Sequence, residues 1–177
     1  MDQKTPGVQP VTPKVAATTE PFEETLKAVK SFIPRLQMIV LLGFTDGQEG
    51  PFFREKIREI VQTVRTMPQT YEQDGLEDQA VAHLHYFAGG MDWYITEKDM
   101  DGGIDQAFGY VVPHRNPDHA ELGYISIREI AGIREAEIDL HFQPKTLADI
   151  KSELRKRNDA EITAEEDAAD LAAPGLS

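Results

Sequence analysis

Apolar positions along the first 75 residues recur at helical spacing. Phe22, Leu26, Val29 and Ile33 follow one another at intervals of four, three and four, which marks an amphipathic helix. Thr19 is placed to cap it, with Pro21 in its first turn, and Pro34 ends or kinks it. Residues 35–43, an almost unbroken apolar run, fit either a continuing helix or a buried strand. After a Gly- and Asp-containing loop, Pro51 opens a second amphipathic helix. Its stripe is Phe53, Ile57, Ile60 and Val64, and it stops before Pro68.

From Ala80 the period changes from helical to alternating. Ala80–Phe87, Met91–Glu97, Gln106–Val112, Leu122–Ile125 and Ile138–Phe142 each read as a strand. Gly89-Gly90 is a hairpin link and 99–105 a longer acidic one. Ser126 with Glu129, and Thr146 with Asp149, have N-cap spacing and open further helices. The pattern predicts an α+β fold: an antiparallel meander of about four or five strands, packed with N-terminal and C-terminal helices. Residues 1–18, rich in Pro and without an apolar period, read as a disordered arm. Residues 19–157 read as one domain, and 158–177 as an acidic disordered tail.

Charge narrows the functional classes. Of the formal −13, residues 76–150 contribute 14 acids against 5 bases, an excess of nine. Phosphate-backbone binding needs clustered Lys and Arg, so duplex DNA binding is not expected, and a protein partner is favoured over nucleic acid. No cysteine is present, which removes disulfides and thiolate metal sites. The longest apolar run, Met38–Phe44, is too short to span a bilayer. No secretory leader is visible, so no membrane association and a cytoplasmic location are expected.

Candidate chemistry lies on the strands. Alternation puts His83 and His85 on one face of the first strand, Asp92, Tyr94 and Thr96 on one face of the second, and Asp139 with His141 on one face of the last. Such a face is either an ordinary solvated side of an antiparallel sheet or a grouping of metal-ligand type. His114 and His119 fall in a Pro/Asn/Asp loop. The 99–105 loop lacks the ligand spacing of a helix–loop–helix calcium site. No Walker loop, dinucleotide fingerprint, nucleophile elbow or zinc-protease helix occurs, and no cofactor is nominated. Strand aromatics such as Trp93 and Tyr94 lie in an acidic neighbourhood and read as core.

Several segments occur in a distinctive order: Met67–Tyr71, His83–Phe87, Asp92–Glu97, Phe108–Tyr110, Glu121–Ser126 and Ile138–Leu147. In that order and approximate spacing, the stretch from about Ile57 to Leu154 resembles the bacterial family known as domain of unknown function 2958. The resemblance implies occurrence on plasmids, integrative elements and phages, and no established activity. It directs attention to Trp93, Thr96, Glu97, Glu121, Gly123 and Asp139. Two functions follow as expectations. One is an accessory or binding protein of a mobile element, including an acidic inhibitor of a host defence or DNA-processing protein. The other is a small metal-assisted enzyme using Glu97, Glu121, Asp139 and the strand histidines. The candidate functional surface is therefore Glu97, Glu121, Asp139, His141, His83, His85 and Trp93.

Overall fold

The computed structural model describes residues 20–101 and 103–172. The expected arm and the Thr19 cap lie outside them. Three helices come first: α1 (Phe22–Val29), α2 (Arg35–Phe44) and α3 (Gly50–Thr66). Pro34 breaks the chain between α1 and α2 and serves as the N-cap of α2, so the ambiguous run 35–43 is helical. α3 ends at Met67, directly before Pro68, as its stripe requires.

The strands are β1 (Val81–Ala82), β2 (Leu84–Ala88), β3 (Met91–Glu97), β4 (Ala107–Val112), β5 (Glu121–Ile125), β6 (Glu137–Ile138) and β7 (Lys145–Thr146). The five-stranded antiparallel sheet has the order β5-β4-β3-β2-β6, and β1 pairs separately with β7. Strands β2 to β5 form the expected meander, and the fold is α+β. The β2–β3 turn uses Gly89 and Gly90 at φ 52° and 86°, a left-handed geometry that glycine adopts without strain. Between β5 and β6, Ser126 Oγ accepts from Glu129 N–H and caps α4 (Ile127–Gly132).

Both faces of the sheet are covered. On one, Leu84, Tyr86, Ile95, Ala107 and Ile125 pack against Val29, Ile33, Ile57, Ile60 and Val64 from the N-terminal helical layer. The fully buried Tyr86 hydroxyl donates to Phe32 O at 2.7 Å, which satisfies it inside this core. On the other face, Tyr94, Tyr110 and Val112 pack against Leu147, Ile150 and Leu154 of α5 (Leu147–Ala172).

Two expectations are corrected. The strand expected over Ile138–Phe142 ends at Ile138, because Asp139 Oδ1 accepts from His141 N–H at 2.8 Å and bends the chain into a turn. The tail expected to be disordered from residue 158 is helical to Ala172. Its Ala- and Glu-rich sequence carries the helix on by propensity, and residues 159–164 are all exposed.

Candidate functional site

His85, on β2, stands directly opposite Tyr94 on β3. Their rings stack with centroids 4.4 Å apart and 6° between planes, and Phe142 tilts against both. His85 Nε2 lies 2.9 Å from Asp92 Oδ1, and Nδ1 lies 3.4 Å from Asp139 Oδ2. Both ring nitrogens thus face carboxylate oxygens, and whichever nitrogen carries a proton can donate to the acid beside it. His85 thus acts as a clamp between the sheet and the 139–142 turn. Among the described residues, Asp92 Oδ2 is buried without a hydrogen-bond partner. Burial, followed by the charge of Asp92, raises the Tyr94 phenol above its ordinary value.

The remaining predicted residues do not join this cluster. His83 lines a small cleft with Glu59 and Thr63 of α3, and its burial holds its imidazole below the ordinary value. His141 is exposed in the 139–142 turn. Trp93 is half-buried against the core under the N-terminal helices. Glu121 is exposed on β5, one edge of the sheet, whereas Asp139 follows β6 at the opposite edge. Glu97 and Glu121 also sit at opposite ends of the strands: Glu97 lies in the cross-strand row of Phe108 and Tyr124, while Glu121 lies in the row of Val111 and Trp93. The expected meeting of Glu97, Glu121 and Asp139 does not occur.

Glu97 departs from strand alternation for a local reason. A bulge between Ile95 and Glu97 shifts the register and sets Glu97 opposite Phe108, on the α5 side. There it is 2% exposed, and its two carboxylate oxygens accept from Tyr71 N–H and Gln73 N–H. Tyr71 is at φ 80°, a left-handed conformation that brings these amides round the carboxylate. Glu97 is the anchor of the 69–75 loop.

Helix α2 is the feature that sequence reasoning missed. It is mostly apolar, yet only Leu41 is buried in it. Leu36, Ile39, Val40, Leu42 and Phe44 are 38 to 57% exposed. Beside it runs a groove of about 340 Å³, lined by Leu36, Val40 and Phe44 on one wall and by Arg134, Glu135 and Glu137 on the other. Asp46 and Glu49 are exposed in the loop after α2.

The basic residues of α3 are neutralised locally: Arg54 pairs with Asp46, Lys56 with Glu59, Arg58 with Glu55 and Arg65 with Glu20. Among the described residues no group of three or more His, Asp or Glu is arranged to hold a metal ion, and no helix is long and apolar enough to cross a membrane. Comparison with family models, curated proteins and solved structures returned no match.

Proposed function

We propose that the chain is a binding protein that docks a protein partner on α2. One observation carries this reading: five large apolar side chains of one helix face solvent together, on a molecule of formal charge −13. Apolar patches of this kind mark interaction surfaces. The acids around it, Glu49, Glu135 and Glu137, outnumber Arg134 on the groove wall and favour a partner that presents an apolar face ringed by Lys and Arg. The family resemblance and its mobile-element setting belong to the same proposal. In that setting, a nucleic-acid-processing protein of the host, held by an acidic inhibitor, has the matching charge. The metal-assisted alternative is disfavoured by the separation of Glu97, Glu121 and Asp139.

A photo-crosslinking residue placed at Val40, with one at exposed Gln62 as control, tests the proposal in bacterial lysate. The expected result is a discrete adduct from Val40 alone, lost in Leu36→Glu/Ile39→Glu. The captured protein should be basic, and the purified chain should release it from nucleic acid. Adducts that survive the double substitution, or a partner whose nucleic-acid binding is unchanged, would overturn it. The chain alone should not shift duplex DNA in a gel at physiological salt, since the α3 cations are already paired.

A further inference from the structure

A second recess lies across the sheet from α2, on the α5 side. It is a pocket of about 160 Å³ between the β4–β5 end of the sheet and the 73–77 loop. Leu147, which is fully buried, forms part of its inner lining, and Phe108 and Leu122 line it nearer the surface. Glu97 is buried within it, while Asp74 and Glu77 are exposed at its outer side.

The lining has two halves of opposite chemistry. One is apolar and aromatic, and Tyr124 extends it by packing edge-on against Phe108 with ring centroids 5.6 Å apart. The other is anionic. Glu97 uses one backbone amide per oxygen, so each oxygen keeps accepting capacity. Among the described residues, none of Glu97, Asp74 and Glu77 has a basic side chain in salt-bridge range. The negative field reaches the aromatic rim. The Tyr124 phenol is held above its ordinary value by its hydrogen bond with Tyr71 first, and further by the charges of Asp74 and Glu97.

A buried carboxylate without a cationic partner, beside an aromatic and aliphatic wall, is complementary to a positive charge on an apolar stem. We propose that this pocket receives one lysine or arginine side chain of a partner protein. The methylenes lie against Phe108 and Leu122, and the charged head meets Glu97 and Asp74. The source of the cation rests on reading the chain as a protein-binding protein, but the pocket is a site separate from α2.

The test is titration of the ¹⁵N-labelled full chain with N-acetyl-lysine-N-methylamide, followed by amide shifts. Saturable shifts are expected at Gln73, Gly75, Glu97 and Phe108. The neutral isostere N-acetyl-norleucine-N-methylamide should give none. Asp74→Asn/Glu77→Gln, confined to an exposed loop, should weaken the lysine probe about fivefold, the scale of partly screened ion pairs. Equal shifts with the neutral probe, or shifts spread over the acidic surface at large, would overturn the site. Tighter binding of spermidine than of the lysine probe would overturn the protein source and make the pocket a polyamine site. Because α2 is untouched by these probes, a negative result leaves the Val40 crosslinking experiment standing, and the converse also holds.

Discussion

Gln37 and Ile138 are joined by two hydrogen bonds of 2.8 Å, one from the Gln37 amide to Ile138 O and one from Ile138 N–H to Gln37 Oε1. The side-chain amide thereby fills the place that a neighbouring strand would take at the β6 edge. Gln73 repeats the device on Val81, accepting from its N–H at 2.7 Å and donating to its carbonyl at 3.0 Å. An uncapped edge offers unpaired backbone groups to other chains, and an amide has the donor and acceptor spacing to close it.

Replacing Gln37 with leucine keeps the bulk and removes both bonds. Ile138 is buried, so its orphaned N–H and C=O should cost about 1–3 kcal/mol. Urea denaturation measures this, and an unchanged midpoint would show that water serves the edge equally well.

Glu97→Gln should destabilise by a similar ~1–3 kcal/mol. The substitution turns one acceptor toward Tyr71 or Gln73 into a donor that faces an N–H. Thermal melting checks the stability, and faster hydrogen exchange at Tyr71 and Gln73 locates the loss in the loop. A normal melting temperature would return Glu97 to the list of residues free to serve function alone.

Glycine substitutions separate close packing from open surface. A Cβ on Gly109 would collide with the Tyr94 carbonyl oxygen across the β3–β4 ladder, whereas one on Gly43 of α2 meets nothing within 4 Å. Gly109→Ala should therefore cost about 2 kcal/mol or more. Gly43→Ala should stabilise by about 0.5–1 kcal/mol, the helix preference of alanine over glycine. Chemical denaturation of the two variants should give shifts of opposite sign.

His83 makes stability depend on pH in a defined direction. Burial lowers its folded pKa below the ordinary value of 6.5, so in the window between the two values the unfolded chain binds more protons. Stability should rise with pH through that window and fall as pH drops from 6.5 toward the folded value. His83→Gln should flatten the slope there, as seen in melting temperatures across pH 5 to 7. An unaltered slope would assign the dependence to other groups.

The amphipathic α3 and the meander strands were legible because their apolar spacing is local. The run 35–43 was not, because a nearly continuous apolar segment has no period to separate helix from strand, and it is exposed where hydropathy suggests burial. The alternation rule placed Glu97 on the wrong face because one extra residue at the bulge reverses every side chain after it. The grouping of Glu97, Glu121 and Asp139 failed for a topological reason. β6 returns to the free edge of β2, and the order of strands in the chain does not say which edge a late strand joins. The glutamine caps left no trace, since an amide bonding to backbone far away in sequence makes no local pattern.

The separation of 101 positions between Gln37 and Ile138 also has a meaning for synthesis. On a ribosome, α2 emerges long before the strand whose edge it closes, so the nascent chain carries an apolar helix with its amide unengaged until β6 has been made. The N-terminal half must be kept from associating with other chains during that interval. The contact that seals the sheet forms only when β6 arrives, which makes the closed edge a record that translation has passed that strand.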